Sequence, residues 1–269
     1  MRGLIAAALV ACAMVAGVPS AAASPRALWV WDGPVDQAID VAESDGFDVL
    51  FVYAPPGFDP APYRDFVNRA ASLGIEVYAM GGDPSWATDK RVWQDWVAEV
   101  EAAAIFDGAV ADVEPYLLPE WSEPGSQQKL INKYLHRLND ARRQAVSIDL
   151  IAAVPFWWDL AEFDRRGESL VERVVDRSDG LVVMAYRDHA AGADGIIEHA
   201  SAEVATASAA GKIAWIGVET GDAGLDKVTF AEEGRSYLAG ELALVDAEFA
   251  GELAGVAVHH YGAWIVLPE

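Results

Sequence analysis

The segment Asp107–Pro115 carries two acidic residues at a spacing suited to acid–base chemistry. It reads DGAVADVEP, with Asp112 and Glu114 two positions apart. Because alternate residues of a β-strand point to one face, the two carboxyl groups would lie side by side. Neighbouring carboxylates raise one another's pKa, so that one of them can remain protonated near neutral pH. We therefore interpret the pair as catalytic, with pairing to an arginine or capping of the next helix as the structural alternative.

Other acidic and aromatic residues follow short apolar segments elsewhere in the chain. Carboxylic acids can protonate a leaving oxygen or attack an anomeric carbon, and flat rings pack against pyranose faces, so this set suits sugar chemistry. Tyr186 and Glu219 are the further catalytic candidates. Ordinary packing is the alternative for each ring, and a loop acid or helix cap is the alternative for Glu219. The candidates for substrate binding are Trp31, Tyr53, Asp83, Trp157, Trp158, Asp188, His260 and Trp264.

The five histidines form no H-x-H, H-E-x-x-H or other ligand spacing, so we expect no metal site. The sequence also has no G-x-S-x-G segment that would present a nucleophilic serine. Neither a metal nor an organic cofactor is therefore expected.

Short apolar segments alternate with longer amphipathic ones and predict the elements that position these residues. Successive predicted strands start 21 to 42 residues apart, and a strand-plus-helix unit needs about 30 residues. Eight such units predict a single (β/α)₈ TIM barrel, an α/β fold whose strand ends surround the active site. An open doubly wound sheet is the alternative, but no G-x-G-x-x-G follows a strand. The predicted strands are Ala27–Trp31, Asp48–Tyr53, Ile75–Met80, Gly108–Val113, Ile148–Val154, Gly180–Tyr186, Ile213–Val218 and Gly255–His260.

Three motifs, in matching strand order, resemble those of the chitinase-like family 18 glycoside hydrolases. Asp107–Glu114 resembles the D-G-x-D-x-D-x-E strand of that family, with Val110 where the family has its first inner aspartate. Met80–Gly82 is similar to the S-x-G-G of the third strand, and Met184–Tyr186 to the M-x-Y-D of the sixth. Arg187 stands where the last aspartate of that motif would be.

This resemblance implies a role for each of three residues. Glu114 would be the proton donor, and Asp112 would orient the acetamido group of the substrate. Tyr186 would hold the same group during substrate-assisted attack. The departures at Val110 and Arg187 weaken the inference of an N-acetyl sugar more than that of a glycosidase.

A second, weaker resemblance is to the clan A glycosidases. Glu114 and Pro115 resemble the end of the N-E-P motif on the fourth strand of that clan, although Val113 replaces the asparagine. The clan places its nucleophile at the end of the seventh strand, where this sequence has Glu219. The implied enzyme is a retaining glycosidase or transglycosylase that uses Glu114 as the acid.

The sequence thus predicts a glycoside hydrolase acting on a polysaccharide or glycoconjugate, with Glu114 as general acid. The alternatives are the retaining enzyme described above and a carbohydrate-binding barrel without turnover, since a fold does not guarantee catalysis. The net charge of −23 would repel phosphate backbones and anionic lipid headgroups, so we expect neither nucleic acid nor membrane as a partner. We expect a monomer.

Residues 1–23 have the pattern of a signal peptide. A positive start precedes the apolar segment Leu4–Val18, and Ala21 and Ala23 form the small-residue cleavage pattern. We therefore expect a secreted protein whose barrel domain spans residues 24–269. A lipid anchor at Cys12 is the alternative. Cleavage after Ala23 would remove this sole cysteine and with it any disulfide or thiol nucleophile.

Overall fold

A computed structural model describes residues 23–269, and these form one closed barrel of eight parallel strands in chain order. This confirms the predicted single (β/α)₈ barrel. The proposed leader up to residue 22, and Cys12 within it, lie outside the described residues. No helix among residues 23–269 is both long and apolar enough to cross a membrane.

Each strand begins and ends within two residues of its predicted bounds. The strands are β1 Arg26–Val30, β2 Val49–Tyr53, β3 Glu76–Gly81, β4 Gly108–Ala111, β5 Asp149–Pro155, β6 Gly180–Met184, β7 Ile213–Glu219 and β8 Gly255–His259. The helices are α1 Asp36–Asp45, α2 Pro60–Ser72, α3 Val92–Ala103, α4 Gln127–Arg142, α5 Leu170–Val175, α6 Ile196–Ala209, α7 Gly234–Glu248 and α8 Tyr261–Trp264.

Two separate apolar clusters form because side chains alternate along each strand. The inward cluster fills the barrel and includes Val110 of β4 and Ala257 of β8. Outward residues such as Ala109 and Ala111 pack with the helices in a second cluster. The inward or outward position of a residue near a strand end therefore follows from counting by two along the strand.

Aromatic rings occupy the centre of the barrel. Trp29 of β1 and Trp215 of β7 each pack edge-to-face on Phe51 of β2, with ring centroids 5.5 Å apart in both pairs. All three side chains are buried. The interior is thus a packed core, as is usual for this fold.

The backbones after β3 and β4 approach each other closely at Gly82. A Cβ atom at this position would lie 2.0 Å from the carbonyl oxygen of Asp112. Only glycine fits at this contact without a backbone shift, which accounts for the second glycine of the Gly81–Gly82 pair.

Candidate active site

Asp112 and Glu114 follow β4 and continue its inward row of side chains. Val110 lies in the inward cluster, whereas Ala111 and Val113 pack in the outward one. Counting by two from Val110 thus places both acids on the face directed to the barrel mouth. Asp112 is half-buried, and its Oδ1 atom is shielded from solvent without a hydrogen-bond partner among residues 23–269.

The surroundings favour the protonated forms of both acids. Burial, and after it the charge of Glu114, raise the pKa of Asp112 to about 8. Burial also raises the pKa of Glu114, while the hydrogen bond from Tyr116 and, when it is charged, the imidazole of His259 oppose this shift. Because two adjacent negative charges in a buried site raise the free energy, the pair retains a proton near neutral pH.

Tyr116 is a neighbour of the pair that the sequence analysis missed. It lies in the short 3₁₀ helix Pro115–Leu117, and its hydroxyl donates a hydrogen bond to Oε1 of Glu114. Burial and then the charge of Glu114 raise the pKa of Tyr116, so the hydroxyl remains a donor at every physiological pH. The ring is held by Trp157, with centroids 5.2 Å apart. Oε2 of Glu114 is thereby left as the oxygen that can carry a transferable proton.

Tyr186 enters the same mouth from the end of β6. Val182 of that strand lies in the inward cluster, so the inward row continues to Tyr186. Burial raises the pKa of Tyr186 well above its usual value, and the charges of Asp112, Glu219 and Glu114 raise it further. The hydroxyl therefore shares its electrostatic environment with all three candidate acids.

Arg187 points away from Tyr186, toward the helix layer, and fixes the chain there. Its guanidinium contacts Asp194 at 2.8 Å, donates to the backbone oxygen of Tyr186 at 2.7 Å, and lies 4.8 Å from the ring centroid of Phe156. An arginine after the tyrosine thus anchors the end of β6 from outside the barrel.

Glu219 ends β7 and is only 8% exposed. Its Oε1 accepts hydrogen bonds from the backbone N–H groups of Thr220 at 2.9 Å and Gly221 at 2.6 Å. Its Oε2 is 2.7 Å from Nδ1 of His259. Both oxygens of this carboxyl group are therefore engaged.

His259 connects Glu219 to Trp31 along the edge of the mouth, where β7, β8 and β1 are neighbouring strands. Nε1 of Trp31 donates to Nε2 of His259 at 2.9 Å. Because an indole can only donate, Nε2 must be the acceptor. The proton of the neutral imidazole therefore lies on Nδ1, where it is donated to Glu219.

His259, and not His260, is the histidine on the inward row of β8, so substrate binding by His260 stays a prediction. Ala257 of β8 lies in the inward cluster, and counting by two leads to His259. His260 is half-buried beside Gly221 and α8 instead. The alternation along β8 was the signal that could have distinguished the two residues.

Three of the predicted aromatic residues lie at the mouth. Trp31 and Tyr53 continue the inward rows of β1 and β2, and their ring centroids are 5.9 Å apart. Both are half-buried, as is Trp157 next to Tyr116. These rings retain exposed surface against which a sugar could pack.

The predicted placement of Trp158 and Trp264 in the cleft is wrong. Trp158 is 0% exposed and packs on Tyr134 of α4, with ring centroids 5.3 Å apart, because it turns into the helix layer. Trp264 packs on Phe47 and donates from Nε1 to Asp45 at the end of α1 at 2.8 Å. Their positions in the sequence after β5 and β8 did not fix the direction of their side chains.

The two remaining acidic candidates have local partners. Asp83 is exposed and caps the 3₁₀ helix Pro84–Ala87, since its Oδ1 accepts from the backbone nitrogen of Ser85 at 2.8 Å. Asp188 is half-buried and contacts Nδ1 of His189 at 2.5 Å. Each has a structural role in addition to any contact with a substrate. Within residues 23–269, no group of three or more histidine, cysteine, aspartate or glutamate side chains is arranged to hold a metal ion.

No protein-family profile matches the sequence, and no curated protein matches it. The fold does resemble solved structures. A class V chitinase from Pseudomonas fluorescens is 13% identical with a TM-score of 0.58, over 90% of this chain and 96% of that one. The spore cortex-lytic enzyme SleL from Bacillus megaterium is 10% identical with a TM-score of 0.55, over 93% of this chain and 74% of that one. A glycoside hydrolase family 18 chitinase from Cycas revoluta in complex with (GlcNAc)3 is 16% identical with a TM-score of 0.51, over 89% of this chain and 96% of that one.

The chain therefore has the barrel fold that chitinases also have, and the expected chitinase-like architecture is confirmed. At these identities the likeness concerns the fold. The chemistry must be argued from the residues at the mouth.

Proposed function

We propose that this protein is a secreted glycoside hydrolase that cleaves glycosidic bonds in a polysaccharide or glycoconjugate, with Glu114 as the general acid. The observation that carries the proposal is the pair Asp112 and Glu114 on the inward face after β4, with the pKa of both raised by burial. A raised carboxyl pKa is what a general acid needs in order to hold its proton near neutral pH. The leader-like residues 1–23 support export.

The proposed first step follows the chitinase-like arrangement. Oε2 of Glu114 transfers its proton to the glycosidic oxygen as the bond from that oxygen to the anomeric carbon breaks. The acetamido oxygen of the same sugar forms a bond to the anomeric carbon, while Asp112 and Tyr186 hold that group. A water molecule then adds to the anomeric carbon, the acetamido group is released, and Glu114 regains a proton from the water.

Likeness in fold to a chitinase complexed with (GlcNAc)3 supports an N-acetylated sugar as the substrate class. The position of Tyr186 within the field of Asp112 and Glu114 supports it as well, because substrate assistance needs groups that orient the acetamido oxygen.

The geometry of Glu219 favours a positioning role over a nucleophilic one. Its Oε1 accepts two backbone hydrogen bonds and its Oε2 accepts one from His259. These bonds occupy lone pairs on both oxygens and reduce the lone-pair density available for attack. The clan-A-like mechanism with Glu219 as nucleophile remains the alternative prediction.

A carbohydrate-binding barrel without turnover is the second candidate. Val110 favours it, because this buried apolar side chain lies on the inward row directly before Asp112, where the chitinase-like motif has an acid. The half-exposed rings of Trp31, Tyr53 and Trp157 would serve binding in either case.

The deciding experiment measures release of reducing ends by the purified protein from a panel of chitooligosaccharides, peptidoglycan and β-glucans. Glu114→Gln keeps the shape of the side chain but removes the transferable proton, so we expect turnover to fall by about 10²–10⁴-fold with the fold intact. Glu120→Gln, at an exposed glutamate nearby, is the matched control and should retain activity. Turnover near the wild-type level in Glu114→Gln would overturn the assignment. Binding without turnover by the wild-type protein would establish the second candidate.

A further inference from the structure

A cavity of about 600 Å³ lies in the helix layer, between α4 and the segment that leads into α5. It shares no lining residue with the barrel mouth. Four arginines line it, Arg165, Arg166, Arg173 and Arg177, with Glu168 as the lining acid. The chain has 19 lysines and arginines against 42 acidic residues, so this local excess of positive charge is unusual for the molecule.

The four guanidinium groups form no ion pair with a carboxylate within residues 23–269. Three of them donate to backbone oxygens instead. Arg173 donates to Phe163 at 2.8 Å, Arg177 donates to Arg173 at 2.6 Å, and Arg165 donates to Asp164 at 2.6 Å. Several arginines elsewhere pair with aspartates, among them Arg26, Arg142 and Arg235. The cavity therefore carries more positive than negative charge, with four arginines against the one lining acid, Glu168.

Arg173 forms the buried part of this site and is 7% exposed. Burial, and then the like charges of Arg165 and Arg177, lower its pKa, while the charges of Glu168 and Asp164 oppose this shift. Like charges that are held together in this way repel one another, and a bound anion would remove that repulsion. The guanidinium fork is also the group best suited to bind an oxoanion through two parallel hydrogen bonds.

A tight turn presents Arg165 and Arg166 at the edge of the cavity. The backbones of Arg165 and Glu168 exchange hydrogen bonds of 2.9 and 3.1 Å around Arg166 and Gly167. Arg166 has φ of 59° and Gly167 has φ of 87°, as in a two-residue turn that favours asparagine or glycine. A left-handed conformation is unfavourable for a side chain such as arginine. Backbone preference therefore does not account for the arginine at this position.

Polar residues of α4 complete the lining on the opposite side. Asn132, His136 and Asn139 offer hydrogen-bonding groups for hydroxyl or oxoanion oxygens. The volume is within the range of small-molecule sites, about 300–1,000 Å³.

We propose that this cavity binds a small ligand that carries two or more oxoanion groups, either phosphates or carboxylates. The four arginines would contact these groups and the α4 side chains would contact the rest of the ligand. This inference does not depend on the proposed glycosidase activity.

Isothermal titration calorimetry of the purified protein tests the proposal, with pyrophosphate and citrate as the two probes. We expect at least one probe to bind, and to bind more weakly as salt is raised. The double variant Arg165→Gln with Arg166→Asn removes two charges and places a turn-favouring residue at position 166. It should weaken binding at least tenfold without lowering Tm, so that loss of binding cannot be ascribed to unfolding.

Arg64→Gln is the matched control, because Arg64 is exposed on α2 and outside the cavity. It should bind the probes as the wild type does. Binding of pyrophosphate alone would define a phosphate site, and binding of citrate alone a carboxylate site. Failure of both probes to bind at millimolar concentration would overturn the proposal. Equal affinity of the double variant and the wild type, or an equal loss in Arg64→Gln, would overturn it as well.

Discussion

Nδ1 of His259 lies 2.7 Å from Oε2 of Glu219 and joins the last two strands of the barrel at its mouth. Strand pairing places these two residues opposite each other in the register of β7 and β8. The hydrogen bond therefore depends on the barrel itself and not on a loop, which gives the acid a fixed position at the barrel mouth.

Removing the imidazole should destabilise the protein. His259→Ala leaves a buried carboxyl oxygen of Glu219 without its donor, which costs about 1–3 kcal/mol. Urea unfolding monitored by circular dichroism measures the change. His259→Asn can retain a donor near the place of Nδ1 and should lose less. His260→Ala is the control at the adjacent position, and equal losses for the two alanine variants would contradict the assigned hydrogen bond.

Asp112→Asn should lower turnover while leaving the protein at least as stable. Its pKa of about 8 means that the folded protein holds a proton that the unfolded chain releases near 3.8. Stability due to this group is thus present below pH 3.8 and falls as pH rises toward 8. The variant should equal the wild type in Tm near pH 4 and exceed it above pH 8. Turnover should fall about 10²-fold, as for the loss of one group that stabilises the transition state. A large fall in Tm at neutral pH would show a structural carboxylate.

Glu203 on α6, remote from the mouth, tests whether burial of a carboxyl group makes stability depend on pH. It is 0% exposed, neither carboxyl oxygen has a partner among residues 23–269, and burial together with the charge of Asp159 raises its pKa to about 8. Because the folded pKa is raised, stability falls between pH 4.5 and 8, by up to about 1.4 kcal/mol per pH unit. Glu203→Gln should therefore raise Tm above pH 8, by about 2–4 °C for each kcal/mol recovered, and not near pH 4.5.

Glu198→Gln is the control for that measurement, because Glu198 is exposed on the same helix. It should leave the pH dependence of Tm unchanged. A wild-type Tm that is flat between pH 5 and 8 would show that Glu203 finds a partner in solution.

Gly82→Ala should damage both stability and the site. The added Cβ would lie 2.0 Å from the Asp112 carbonyl oxygen, so the backbone that carries the acid pair must move. We expect the free energy of unfolding to fall by a few kcal/mol, which is about the cost of overpacking a core. Gly240→Ala is the control, since Gly240 lies in α7 with open space around it and should gain about 0.5–1 kcal/mol. Chemical unfolding of the two variants would measure both changes in the free energy of unfolding. Equal stability of the two variants would contradict the close approach.

The barrel and its acid pair could be predicted from the sequence because both depend on periodic patterns. Apolar segments of β-forming residues at regular intervals specify the strands. Alternation along β4 then directs Asp112 and Glu114 to one face without knowledge of any loop. The same alternation, counted from the correctly predicted start of β8 at Gly255, would have identified His259.

The direction of side chains beyond the strand ends could not be predicted in this way. Trp158 lies in the helix layer and Trp264 packs near the end of α1. Both residues belong to short helices after a strand, and contacts with neighbouring elements set the direction of their side chains. Tyr116 contacts Glu114 through a 3₁₀ turn that has no periodic signal. The arginine cavity could not be predicted from the sequence because its lining residues lie on different elements.

The edge-to-face rings of Trp29, Phe51 and Trp215 close the interior of the barrel below its mouth. Because the interior below the acids is filled, a ligand could enter and leave the barrel only through the mouth. Long polymers could then be engaged across the rim but not threaded through the axis. The rate at which one ligand could replace another would then depend on binding and release at the mouth, and not on passage through the barrel.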